Sequence, residues 1–133
     1  MTAFIDSNIL VYAFSTDPRR DRAIEIVANG GLINAQVLNE LTNVLRRKQR
    51  VSWPVIEDVI HSVRQRFPNI PPLTVDTHAS AVALARDHGC SFYDALIIAA
   101  ALDGGCNTLY SEDLQHGRAF GGLAVVNPFL DRQ

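Results

Sequence analysis

The chain has 133 residues, 47% hydrophobic and 20% charged, with a formal charge of -2. These values exclude a disordered chain, a collagen-like repeat and a repeat array, and the charge argues against a generic basic nucleic-acid binder. At this length one core buries roughly two thirds of the unfolded surface, so a single domain over 1–133 is expected, held without staples. Cys90 and Cys106 make no disulfide framework. The polar Asp6-Ser7-Asn8 follows too soon for a secretory leader, and the apolar run 95–102 is far short of the ~20 residues of a membrane helix. A reducing, cytoplasmic setting with free thiols is therefore expected, and no membrane partner. Eleven of the twelve bases are arginine, which suits planar contacts to phosphate or carboxylate.

In chain order, residues 2–5 read as a strand, 6–8 as a polar turn and 9–13 as a short helix. Asp17-Pro18 marks a helix start, and residues 19–28 form a helix stopped by Gly30-Gly31. Residues 31–34 are short enough for a buried strand. Asn34 caps a helix over 35–48, in which Val37, Leu38, Leu41, Val44 and Leu45 have helical spacing. Ser52-Trp53-Pro54 opens the next helix, which runs to Phe67-Pro68. After a proline-rich loop, residues 73–75 read as a strand, Asp76 as a cap and 79–88 as a helix ended by Gly89. Ser91 caps a strongly apolar helix over 92–103, and residues 108–110 and 124–126 complete five strands. Strands alternating with helices predict an α/β domain with a largely parallel sheet, whose ligand site lies beyond the carboxyl ends of the strands.

Acidic residues cluster at that expected edge. Asp6 follows the first strand, Glu112-Asp113 follow the strand 108–110, Asp94 occupies a first helical turn, and Glu40 lies near the boundary of an apolar helix face. Each also has a structural account: Asp6 as a helix cap, Asp94 in a capping box with Ser91, Glu112-Asp113 as a solvated turn. Four carboxylates on one edge repel unless a cation lies between them. The histidines His61, His78, His88 and His116 show no zinc spacing and neither cysteine has a CxxC partner, so the all-oxygen set favours Mg²⁺ or Mn²⁺. Such a site suits phosphodiester hydrolysis. Setting four acids aside turns the net charge to +2, and arginines at 19, 20 and 22, at 46, 47 and 50 beside Lys48, and at 64 and 66 offer phosphate contacts.

The segments Phe4-Ile5-Asp6-Ser7-Asn8-Ile9-Leu10, Glu40 on its helix, the run from Phe92-Tyr93-Asp94 to Ala101, and Leu109-Tyr110-Ser111-Glu112-Asp113-Leu114 closely resemble the PIN-domain family, especially its VapC-type toxins. The likeness covers essentially the whole chain. It implies a three-layer α/β/α sandwich around a central, mostly parallel five-stranded sheet, and Mg²⁺- or Mn²⁺-dependent endoribonuclease activity. It carries the metal-site acids onto Asp6, Glu40, Asp94 and Asp113, ranks Glu112 below Asp113, and gives Ser7, Asn8 and Ser111 supporting roles in orienting carboxylates and waters. It further implies a structured RNA substrate such as a tRNA or rRNA loop, a homodimer, and a cognate VapB-like antitoxin that covers the acidic site. The helix faces around Val55 to Val63 and Ala79 to Ala85 are the expected dimer surfaces. Two alternatives stand beside this reading: a PIN-fold RNA-processing nuclease without an antitoxin, and a catalytically silent module that binds RNA or protein.

Overall fold

The computed structural model describes residues 2–130; Met1 and residues 131–133, the ends of the expected domain, lie outside them. The elements run β1 (Ala3–Ile5), α1 (Ser7–Ala13), α2 (Arg20–Ala28), α3 (Ala35–Arg47), α4 (Trp53–Arg66), α5 (Val75–His88), α6 (Phe92–Asp103), β2 (Thr108–Tyr110), β3 (Ala119–Phe120) and β4 (Leu123–Val126). The sheet order is β1-β2-β4-β3, with β1, β2 and β4 mutually parallel and β3 antiparallel to β4. All three β1 residues are buried. Because successive strand side chains point to opposite faces, both faces of this strand are covered, as in an α/β sandwich.

The core gathers Phe4 and Ile5 from β1, Leu109 from β2, Val125 from β4, Ile9 and Leu10 from α1, and Leu41 from α3. Helix α6 is buried at every position from Ala95 to Ala101. Ile97, Ile98 and Ala101 join the main core, while Ala95, Leu96 and Ala99 pack with Ala81 of α5. A helix apolar on all sides needs neighbours on all sides, and α5 supplies the outer one.

The expected α/β class with a mostly parallel sheet is what the structure has, but the strand list changes. The predicted strand 31–34 shrinks to a single parallel bridge between Leu32 and Phe4. Gly30 and Gly31 sit at φ +85° and +150°, and a Cβ on Gly31 would stand 2.8 Å from the Ala3 carbonyl, so the chain approaches β1 through a turn and leaves at once into the Asn34 cap. The predicted strand 73–75 is the extended lead-in to α5. Thr74, not Asp76, caps that helix, its hydroxyl accepting the Thr77 N–H at 3.0 Å, and Asp76 lies in the first turn. The Gly121-Gly122 hairpin that pairs Phe120 with Leu123 was not anticipated, because β3 is only two residues long. Among the described residues no helix is long and apolar enough to cross a membrane.

Candidate active site

With Ile5 opposite Tyr110 in the parallel β1–β2 pair, the next residues, Asp6 and Ser111, leave the sheet side by side. The Asp6 N–H donates to the Tyr110 carbonyl at 3.0 Å and the Ser111 N–H to the Val126 carbonyl at 3.1 Å, which pins both main chains. Asp6 is only 5% exposed. Its Oδ1 accepts the Ser7 N–H at 2.7 Å, so it does cap α1. Its Oδ2 accepts the Ser111 hydroxyl at 2.7 Å and the Asn8 amide at 3.3 Å. The capping and site readings of Asp6 are thus compatible, one oxygen serving each.

Asn8 and Ser111 bind the two strand ends to each other. The Asn8 amide donates to Asp113 Oδ2 at 3.2 Å, and its oxygen accepts the Glu112 N–H at 3.2 Å. Ser111 Oγ also accepts the Asp113 N–H at 3.2 Å. Glu40 arrives from α3, where the Ser7 hydroxyl donates to its Oε2 at 3.2 Å and the Gln36 amide to its Oε1 at 3.4 Å. Asp94 lies in the first turn of α6, and its N–H donates to the capping Ser91 hydroxyl at 3.2 Å. The reciprocal bond of a capping box, from the Ser91 N–H to the Asp94 carboxylate, is not made among the described residues, so the cap does not occupy that carboxylate.

Electrostatics joins the four acids. Burial lifts the Asp6 carboxyl to about 6, against the pull of the Ser111 and Ser7 hydrogen bonds, and the charges of Asp113 and Asp94 push it the same way. Burial also lifts Glu40 to about 7, reinforced by the charges of Asp6 and Asp94 and opposed by Gln36 and Ser7. No Lys or Arg forms an ion pair with any of the four among the described residues. Nor do three of these side chains converge, among the described residues, into a closed metal cage. What the fold presents is an open, all-oxygen, acid-rich edge in which burial and neighbouring carboxylates disfavour the ionised forms of Asp6 and Glu40, with no ion-paired base among the described residues. That donor set fits a hard divalent cation that keeps part of its water. The histidines stand apart: His116 Nδ1 accepts the Asn127 N–H at 3.0 Å, while His78 and His88 lie against Phe92 and Phe120.

Glu112 belongs to a different assembly. Its Oε1 accepts the Tyr12 hydroxyl at 2.7 Å, and the Arg19 guanidinium donates to both its oxygens at 3.2 Å. Arg19 also holds Asp17 with two hydrogen bonds of 2.8 Å and stacks 4.2 Å over the Tyr12 ring. With its charge matched there, Glu112 is drawn away from the set that Asp113 faces. Sequence reasoning missed this assembly because Tyr12 and Glu112 stand 100 positions apart. It also missed Gln36, although a Gln one helical turn before Glu40 was a readable signal.

A PIN-domain family model matches residues 3–120. The chain belongs to the PIN-domain family. Solved structures share the PIN fold at 18–21% identity. A toxin-antitoxin complex from Klebsiella pneumoniae matches at 21% identity and TM-score 0.72, over 96% of this chain and 98% of that one. Mycobacterium tuberculosis VapC20, a sarcin-ricin loop cleaving toxin, matches at 19% and 0.66, over 83% and 88%. VapBC2 from Rickettsia felis, bound to a DNA fragment from its promoter, matches at 18% and 0.66, over 94% and 97%. No curated protein matches this PIN domain.

Proposed function

We propose that this chain is a divalent-cation-dependent endoribonuclease of the toxin type, restrained by an antitoxin partner. The observation that carries the reading is Asp6, buried, held by three donors, and charged against Glu40, Asp94 and Asp113 with no Lys or Arg in an ion pair with it among the described residues. Its resemblance to the cleaving toxin VapC20 and to two toxin-antitoxin assemblies supports RNA as substrate and an antitoxin as partner. A loop of rRNA or tRNA is the substrate class this reading expects, since an unpaired backbone can enter an open edge.

Asp6, Glu40, Asp94 and Asp113 would hold Mg²⁺ or Mn²⁺, which supplies charge neutralisation for the phosphoryl group and a more acidic water. The protein's own contribution is orientation. Ser111 and Asn8 fix Asp6 Oδ2, Asn8 aims Asp113, and Ser7 with Gln36 fixes both oxygens of Glu40. Burial and the charges of Asp6 and Asp94 lift Glu40 to about 7, so its ionised form is costly there until a cation joins the carboxylates.

The reading includes a cytoplasmic homodimer. On the two helices named for the interface, Ile56, Val63 and Ala81 are spent on the protein's own core, whereas Val55 and Val82 are about half exposed and available to a second copy. Light scattering at micromolar concentration checks the dimer.

Purified, antitoxin-free protein should cut a structured-RNA pool into discrete fragments with Mg²⁺ or Mn²⁺. The fragments should vanish with EDTA and in Asp94→Asn. Cleavage that persists in both controls would overturn the assignment.

A further inference from the structure

Helix α3 carries a polar stripe that starts in the acidic site and ends in a basic cluster. Gln36, Glu40, Asn43 and Arg47 follow one another at spacings of four, three and four residues, which puts them on one side of the helix. Two shallow depressions flank this stripe and share Asn39 and Asn43. One, of about 560 Å³, reaches Glu40 and Tyr93; the other, of about 400 Å³, reaches Arg46, Arg47 and Trp53.

Each depression has an aromatic ring at its side. Tyr93, next in sequence to Asp94, is 65% exposed and held edge-to-face by Phe92 at 5.6 Å. Trp53 is 51% exposed, and the Arg46 guanidinium lies 4.7 Å over its ring. Both rings keep apolar surface open to a flat partner. Between the rings stand the amides of Asn39 and Asn43, both exposed. Beyond Trp53, Arg46, Arg47, Lys48 and Arg50 are exposed and form no ion pair among the described residues. Within this cluster Arg46 donates to the Val51 carbonyl at 3.2 Å, which steadies its guanidinium over Trp53, whereas Arg19, Arg22 and Arg86 elsewhere are held in ion pairs.

Aromatic faces for stacking, amides for base edges and arginines for phosphate are what an unpaired nucleic-acid strand needs and what a duplex, with its bases hidden, cannot use. Deepening the nuclease reading, and resting on it, we propose that the outer face of α3 is the track for single-stranded RNA. One base would lie on Tyr93 beside the carboxylates, a second on the Arg46–Trp53 stack, and the backbone between them would be drawn along by Arg47. A helical rise of 1.5 Å per residue puts Arg47 about 10 Å along the axis from Glu40, a step that a short stretch of strand spans. The polarity of the stripe, acid at one end and base at the other, gives the strand a direction and leaves the phosphate nearest the carboxylates as the one to be cut.

Trp53 is the only tryptophan in the chain, so its fluorescence reports on the track directly. In Asp6→Asn protein, with Mg²⁺ present and no strand being cut, short single-stranded oligoadenylate should quench Trp53 saturably. A duplex of the same length should not quench it at those concentrations. Tyr93→Ala and Arg47→Ala, both at exposed positions, should each weaken the titration by about tenfold or more, the loss expected for one stacked base or one desolvated phosphate contact. Labelled RNA that binds, by anisotropy, without quenching Trp53 and with equal affinity in both variants would overturn the track. So would quenching by an amphipathic acidic peptide but not by RNA, which would assign the face to a protein partner. The nuclease reading fails separately: if wild-type protein cuts no RNA while oligoadenylate still quenches Trp53, the track stands as an RNA-binding face. If wild-type cuts RNA and Trp53→Phe, Trp53→Ala and Tyr93→Ala cut it equally well, the track falls and the nuclease remains.

Discussion

Two acidic clusters stand back to back across the loop after β2, and they solve the same problem in opposite ways. Around Glu112 the protein supplies its own cation: Arg19 reaches Glu112 and Asp17 together, and its hydrogen bonds hold the Asp17 carboxyl down at about 2. Around Asp6 no Lys or Arg among the described residues forms an ion pair, and burial with neighbouring negative charge pushes Asp6 and Glu40 up to about 6 and about 7. Adjacent residues, Glu112 and Asp113, fall on opposite sides of this divide. An acidic residue therefore reads as structural or functional less by its type than by whether the fold gives it a partner.

The sharpest way to break the comparison is to remove the uncompensated charge at its centre. Asp6→Asn should lower RNA cleavage by at least about 100-fold, as expected when a group central to a metal-assisted hydrolysis is lost. It should also flatten the pH dependence of stability in cation-free protein. A carboxyl whose pKa is higher folded than unfolded binds its proton more tightly in the fold, so ionising it costs stability. The cost is absent below about pH 4 and complete above about pH 7, and for Asp6 alone the rise from 3.8 to about 6 makes it on the order of 3 kcal/mol. Thermal denaturation without divalent cation should show stability falling across that window. Added Mn²⁺ should restore it near pH 7.5 and do little at pH 5. A melting temperature indifferent to both pH and Mn²⁺ would mean that Asp6 already has its counter-charge.

Ser111→Ala tests the orientation of that charge. The hydroxyl is fully buried and makes the 2.7 Å bond to Asp6 while accepting the Asp113 N–H. Its loss removes a stabilising bond to ionised Asp6, so the carboxyl should titrate higher still. Mn²⁺ affinity or cleavage should fall by about 10- to 100-fold, the usual consequence of losing a group that orients a metal ligand. Calorimetric titration with Mn²⁺ reads this without relying on turnover.

How much of this was visible in the sequence follows the same divide. Asp6 and Asp113 could be placed because each closely follows a strand, and parallel strands deliver such residues to one edge, whereas Ser111 came only from the family resemblance. The Asn34 and Ser91 caps and the glycine stop at Gly89 were legible because capping is local chemistry. Thr74 misled because an extended cap and a strand have the same backbone, and β-branched Thr74 and Val75 suit either until the Thr77 N–H is seen to turn back. The Tyr12–Arg19–Glu112 assembly left no local trace. Its members meet only after β1 and β2 pair, so from the residues alone Glu112 looked as available as Asp113, and only the family resemblance ranked it lower. The rings of Tyr93 and Trp53 were equally illegible, since a sequence does not show which aromatic side chains the core leaves out.

The gentlest test acts on the compensated side. Tyr12→Phe removes only the 2.7 Å bond to Glu112 and leaves the ring packed edge-on against Phe129 at 5.2 Å. Arg19 still neutralises Glu112, so stability should fall by about 1 kcal/mol, the net worth of one hydrogen bond. The phenol now titrates at about 12, mainly through burial and its bond to Glu112, so the change removes no charge near neutral pH. Cleavage and Mn²⁺ affinity should stay within about threefold of the parent, because a sub-turn relaxation of Glu112 is absorbed by the Asn8 and Ser111 bonds that fix Asp113 independently. A larger drop in Mn²⁺ affinity than in stability would show that the two clusters are coupled through the Glu112–Asp113 peptide, and that the Arg19 assembly is a brace for the acidic edge and not merely its neighbour.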